Sequence, residues 1–111
     1  MFGAQNTPLV EPAKKHLAAV LQDTLPRMSP PRCRVYMNSG RKPVLPGTEP
    51  AVIAENLLAT ITESVHWDKN MLAMLADGMT EFHDVGPGSF IKSQMRSISP
   101  KLNHLVRGVD G

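Results

Sequence analysis

The chain has 111 residues and a formal net charge of +2, from 12 basic and 10 acidic residues. This length fits one domain over residues 1–111, and basic residues scattered away from aromatic ones argue against nucleic-acid binding. The single cysteine excludes an intramolecular disulfide, and no apolar run approaches the roughly 18 residues of a membrane span. We therefore expect an intracellular protein that does not enter membranes.

Proline, glycine and apolar spacing predict the order helix, strand, helix, helix, strand, helix, strand. The first helix begins near Glu11, followed by a proline that a first helical turn tolerates, and it ends before Pro26. Alternation of apolar and polar residues predicts a strand over residues 32–38. Thr48 is the expected N-cap of a second helix that ends near residue 62.

A third helix is expected with Asp68 as its cap and Gly78 just after its C-terminus, where glycine suits the left-handed conformation. A strand over residues 80–85, a helix over residues 90–98 and a short strand over residues 104–109 follow. Strands separated by helices predict parallel pairing. The expected fold class is α/β, a small layered domain of parallel strands with crossover helices that resembles half of a larger sheet.

The turn between the second strand and the fourth helix, residues 86–89, reads Gly-Pro-Gly-Ser. A glycine-flanked turn at a helix N-terminus presents backbone N–H groups to an anion, such as a phosphate of a nucleotide or of coenzyme A. The sequence is neither a P-loop nor a complete Gly-x-Gly-x-x-Gly motif. We favour the alternative, a tight turn whose backbone geometry requires glycine.

The titratable residues do not form a catalytic or metal-binding pattern. The four histidines are widely spaced and Cys33 has no second cysteine, so we expect no zinc site. Arg32 and Arg34 flank Cys33, but in a strand they point to the opposite face. His83 points away from its neighbour Asp84 for the same reason. The sequence has no Gly-x-Ser-x-Gly nucleophile elbow.

Four segments follow patterns that occur together in one enzyme family. Residues 3–13 read Gly-Ala-Gln-Asn-Thr-Pro-Leu-Val-Glu-Pro-Ala, close to Gly-Ala-Phe-His-Thr/Ser-x-Leu-Met-x-Pro-Ala, and residues 34–38 match a strand that ends in asparagine. Residues 63–67 read Glu-Ser-Val-His-Trp, where the pattern often has Ser/Asn-Pro-Val-x-Trp, and residues 81–88 are close to Phe-x-Glu-Val-Gly-Pro-Gly. In order and spacing, these segments resemble the C-terminal third of malonyl-CoA:acyl carrier protein transacylases.

The resemblance implies malonyl transfer in fatty-acid synthesis. In the family, a serine in a Gly-His-Ser-x-Gly elbow attacks malonyl-CoA, and a histidine acts as general base and then acid. An arginine pairs with the malonyl carboxylate, and the malonyl group then passes to the phosphopantetheine thiol of acyl carrier protein. The serine and arginine segments precede the matched region in the family, and this chain contains neither.

Two positions of the family's catalytic site fall within the matched segments. Asn6 stands at the histidine position, and asparagine takes no proton at neutral pH, so general-base chemistry is expected to fail there. Counting back from Trp67, Thr60 stands at the position of a glutamine whose backbone carbonyl orients the histidine, a role that tolerates another side chain. We expect no resident cofactor or metal, because the family's malonyl-CoA and phosphopantetheinyl carrier protein are substrates.

The resemblance leaves two accounts of function. In the first, the chain is a C-terminal fragment, redesigned derivative or degenerate paralogue of a transacylase, inactive alone, whose partner is the missing N-terminal part. In the second, it is a non-catalytic module that binds acyl carrier protein or assembles with a partner. An acidic carrier protein would meet six basic residues, which ordinary surface charge also explains: Lys14, Lys15, Arg41, Lys42, Lys92 and Arg96.

An open sheet edge would also favour self-association or a covering partner. The family's distribution implies a mitochondrial location in a eukaryote and a cytoplasmic one otherwise.

Overall fold

The computed structural model of the protein describes residues 8–39 and 42–109. The chain divides into two compact units, the first ending at His66 and the second beginning at Trp67. In the described part of the chain, no helix combines the length and apolar character needed to cross a bilayer. The expectation of a single domain over residues 1–111 stays a prediction.

The first unit is built on two helices that pack against each other, α1 (Glu11–Thr24) and α2 (Pro50–Thr62). Each has a proline in its first two positions, where the missing N–H leaves no helical hydrogen bond unmade. The predicted start of α1 is confirmed. The predicted cap of α2 is wrong, because the N-cap residue is Glu49 and the Thr48 hydroxyl donates to the Leu45 carbonyl at 2.6 Å.

The strand predicted over residues 32–38 is wrong as a regular strand. This segment forms an isolated antiparallel bridge between Val35 and Val44, closed by two backbone hydrogen bonds of 2.9 and 2.8 Å. Pro43 and Pro46 lie on either side of the partner residue. The next hydrogen-bonded pair on one side would join residues 33 and 46, and Pro46 has no N–H to donate, so the ladder does not extend in that direction.

The second unit confirms the predicted α/β arrangement. Its elements are, in chain order, α3 (Trp67–Ala76), β1 (Phe82–Val85), α4 (Phe90–Ile98), a 3-10 helix (Pro100–Leu105) and β2 (Val106–Val109). The two strands pair in parallel, with Phe82 opposite Val106. Helix α4 connects them and packs on both, as parallel pairing requires of a crossover connection.

Helix α3 ends at the predicted glycine. Gly78 has φ +91°, its N–H donates to the Leu75 carbonyl at 3.1 Å, and the Met79 N–H donates to the Met74 carbonyl at 3.0 Å. This pair of bonds is the Schellman motif, which satisfies the last carbonyls of a helix. Asp68, expected to cap the helix, lies instead within its first turn, where its charge suits the positive end of the helix dipole.

The core of the second unit consists of Met71, Met95 and Val106, all buried. Helices α3 and α4 supply the two methionines and β2 supplies the valine. The chain has few aromatic residues, and the flexible methionine side chain fills irregular gaps in such cores. Trp67 and Phe82 are among the half-buried residues that pack around this centre.

We expect Met95→Ala to lower the free energy of unfolding of the second unit by about 2–5 kcal/mol, because Met95 is fully buried and its truncation leaves a cavity. Urea titration followed by fluorescence of Trp67, which packs on this core, measures the loss. Met95→Leu, which conserves volume, should cost less than about 1.5 kcal/mol. Lys92→Ala on the exposed side of the same helix should change stability by no more than about 0.5 kcal/mol. Equal losses for Met95→Ala and Lys92→Ala would contradict this description of the core.

Candidate functional site

The turn between β1 and α4, residues 86–89, is the segment that the sequence analysis considered as an anion-binding site. Gly86 and Gly88 have φ of +138° and +92°, backbone conformations that other residues rarely adopt. The Gly86 N–H donates to the Val109 carbonyl at 3.0 Å and so extends the pairing of the two strands. The glycines are therefore accounted for by the geometry of the turn.

The N-terminus of α4 is occupied by a carboxylate of the chain itself. Asp84 Oδ2 accepts a hydrogen bond from the Ile91 N–H at 3.0 Å, while the N-cap residue Ser89 makes no side-chain capping bond. Asp84 therefore satisfies one of the unpaired helix donors and places negative charge at the positive end of the helix. An external phosphate would meet that charge, which makes this turn a poor phosphate site.

Strand alternation explains why Asp84 reaches the helix. Along β1, Phe82 and Asp84 are half-buried, whereas His83 and Val85 are exposed. The prediction that His83 and Asp84 lie on opposite faces is confirmed. The capping role of Asp84 was not predicted, because the sequence does not show whether a carboxylate at the end of a strand faces water or the start of the next helix.

The outer face of the two-stranded sheet carries an exposed charge cluster. Glu81 Oε1 lies 3.0 Å from His83 Nε2 and 3.5 Å from Arg107 Nε. The register places His83 directly opposite Arg107. All three side chains are at least half exposed, so these contacts stabilise the fold only weakly. The cluster orients His83 but supplies neither a nucleophile nor an enclosed space.

Thr60 lies near the C-terminus of α2, in a small hydroxyl network. Its Oγ1 donates to the Asn56 carbonyl at 2.9 Å and lies 2.9 Å from Ser39 Oγ. Ser39 is buried and donates to the same carbonyl at 2.6 Å. These contacts hold Ser39, which follows the Val35–Val44 bridge in the chain, against α2. Sequence reasoning missed Ser39, because nothing local distinguishes a buried serine from an exposed one.

Among the described residues, the remaining candidates do not come together in one site. Asn6 and Arg41 lie outside the described residues, and Cys33 is exposed. Over residues 8–39 and 42–109, no three His, Cys, Asp or Glu side chains come close enough together to hold a metal ion. The predicted roles of Asn6 and of the Thr60 backbone stay predictions.

A cleft of about 410 Å³ lies between α1 and α2 in the first unit. Its walls are mostly aliphatic, with Gln22 and Glu55 as the polar contributors: Ala18, Leu21, Gln22, Leu25, Ala51, Ala54, Glu55 and Leu58. The volume is within the range of small-molecule sites. Glu55 is the one titratable residue among those that line it, so the cleft does not bring together a pair of catalytic groups.

Comparisons with known proteins bear on the fold. No family model matches the chain, and no curated protein matches its sequence. Among solved structures, the fold is similar to that of the malonyl-CoA:ACP transacylase of Synechocystis sp. PCC 6803, with a TM-score of 0.80 and 22% sequence identity over 96% of this chain. The match covers 34% of the transacylase, so the chain spans about a third of that protein's length. At this identity the likeness establishes a shared fold.

We expect Asp84→Ala to lower the free energy of unfolding by about 0.5–2 kcal/mol, the usual cost of losing a helix cap. Asp84→Asn keeps an acceptor oxygen but loses the charge, so it should cost only the dipole contribution of about 0.3–1 kcal/mol. Urea unfolding measures both, and amide exchange at Ile91 localises the effect. Unchanged exchange at Ile91 in Asp84→Ala would show that the carboxylate does not cap the helix.

Proposed function

We propose that this chain supplies part of a malonyl-CoA:acyl carrier protein transacylase fold and serves malonyl transfer without performing it alone. The observation that carries this proposal is the fold match, with a TM-score of 0.80 over 96% of the chain. Four sequence segments that resemble the C-terminal third of the family support it independently. One of them, residues 81–88, contains β1 and the glycine turn.

The chemistry of the proposed reaction explains why the chain alone should not turn over. Attack on the malonyl thioester needs a serine oxygen activated by a base, and release of coenzyme A needs a proton for the departing thiolate. The position matched to the family's histidine holds Asn6, which cannot carry that proton. Thr60 would keep its role through its backbone, because its hydroxyl is used in the contacts with Asn56 and Ser39.

We expect no covalent malonyl adduct when the purified chain is incubated with malonyl-CoA, and no release of coenzyme A above the buffer rate. Intact-mass measurement of the denatured protein and a thiol assay check the two results. Asn6→His should remain equally inactive, because a base without a serine elbow and a carboxylate-binding arginine forms no acyl-enzyme. A malonyl adduct that survives denaturation, in either protein, would overturn the proposed inactivity.

A second candidate function is binding of an acidic carrier protein, and the surface of α4 favours it. Lys92 and Arg96 are four residues apart, so they lie on the same side of the helix, and both are exposed. The helix contains no acidic residue. Such a surface attracts an acidic partner helix at low ionic strength.

We expect titration with holo acyl carrier protein to show weak, salt-sensitive binding that weakens at least about tenfold in the double variant Lys92→Glu/Arg96→Glu. Calorimetry or changes in amide resonances measure it. Lys69→Glu is the matched control, because it reverses one exposed charge on α3 and should leave affinity unchanged apart from a small long-range effect. No detectable binding at low salt, or equal losses in both variants, would exclude the α4 surface.

A further inference from the structure

The chain contains two Ser-Pro dipeptides in contrasting surroundings. Ser29 precedes Pro30 in the irregular segment that follows the 3-10 turn Leu25–Arg27, and both residues are exposed. Ser99 precedes Pro100 at the C-terminus of α4, where it is half-buried and its N–H donates to the Met95 carbonyl at 2.8 Å. Only the first dipeptide is therefore presented on an extended, accessible segment.

The backbone around Ser29 is held extended by local sterics. A residue that precedes proline is displaced from the helical region, and this applies to Ser29 before Pro30 and to Pro30 before Pro31. Met28 has φ −82° and ψ 147°, already in the extended region. The Pro31 carbonyl accepts a hydrogen bond from the Gly47 N–H at 3.0 Å, which anchors the end of the segment.

Basic residues surround this serine in the sequence. Arg32 lies three residues after Ser29 and is exposed, and Arg27 lies two residues before it with its side chain 68% exposed. Arg27 pairs with Asp23 at 3.7 Å, a surface contact that another anion can displace. An extended serine followed by proline, with an arginine three residues later, is the substrate pattern of proline-directed protein kinases. The kinase pocket for the residue that follows the phosphorylated serine accepts proline, which has no backbone N–H. A negatively charged subsite of the kinase pairs with the arginine three residues after the serine.

We propose that Ser29 is the phosphoryl acceptor for a proline-directed serine/threonine kinase that uses ATP. The Ser29 oxygen attacks the γ-phosphorus, the bond from that phosphorus to the β–γ bridging oxygen breaks, and ADP leaves with the bonding electrons. The hydroxyl proton passes to the kinase's catalytic carboxylate. The new phosphate carries about −1.5 to −2 charges, which brings the formal charge of the chain from +2 to about zero.

Arg27 and Arg32 are then the nearest basic partners in sequence for the phosphate, through charge-assisted hydrogen bonds. The modification goes beyond malonyl transfer and does not depend on it, because Ser29 lies outside the segments that resemble the transacylase family.

The test incubates the folded full chain with a purified proline-directed serine/threonine kinase, Mg²⁺ and ATP, and maps phosphate by intact mass and peptide fragmentation. We expect phosphate on Ser29 that is absent in Ser29→Ala and restored on the new hydroxyl in Ser29→Thr. The Thr7-Pro8 dipeptide has no basic residue three positions after the threonine, so we expect slower incorporation there. Arg32→Ala should slow incorporation by about tenfold, the effect of losing one charge-assisted hydrogen bond. Arg107→Ala, the control for removal of an exposed arginine elsewhere, should leave the rate unchanged.

Several results would overturn the proposal. They are no incorporation into the folded chain, incorporation at Ser99 rather than Ser29, or a rate that is unaffected by Pro30→Ala. Ser29 and Pro30 are exposed, so their replacement should leave the fold intact, and the circular dichroism spectrum of each variant checks this. Failure here leaves the proposed role in malonyl transfer unaffected, since the two experiments use different substrates and different residues.

Discussion

The contact between the Asp84 carboxylate and the Ile91 N–H, at 3.0 Å, joins the end of β1 to the start of α4. A short glycine turn between a strand and a helix permits several directions of the helix, because glycine adopts many backbone conformations. The carboxylate fixes it, because the hydrogen bond and the helix dipole both favour one placement of the first turn. Helix α4 can then deliver Met95 into the core, against Met71 and Val106. The second unit therefore depends on the Asp84–Ile91 hydrogen bond, because that bond sets the position from which Met95 is buried.

The same contact limits the chemistry available to the turn. Helix N-termini bind anions because their N–H groups lack partners, and here Asp84 already fills that role. The N–H of Ile91 is therefore not available to an external anion. The sheet also has an open outer face, although parallel strands are generally covered on both faces. Val85, on the outer face of β1, is 78% exposed.

The failed strand over residues 32–38 and the successful strands β1 and β2 show where sequence reasoning reaches its limit. Alternation of apolar and polar residues predicted the strand over residues 32–38, whereas burial alternates along β1 and not along β2. A strand exists, however, only when a neighbour supplies consecutive N–H and C=O groups, and the segment opposite Val35 contains Pro43 and Pro46. The helices were predicted more closely because an α-helix satisfies its hydrogen bonds within its own segment.

The sequence by itself determined the α/β class, the helix boundaries at Glu11 and Gly78, and the opposite faces of His83 and Asp84, since these follow from local sterics and side-chain periodicity. Tertiary structure alone decided that Asp84 caps α4 and that Ser39 is buried against Thr60. Both depend on groups that meet only after the chain has folded. A carboxylate or hydroxyl carries the same local signal whether it faces water or a distant backbone group, so its role emerges from packing.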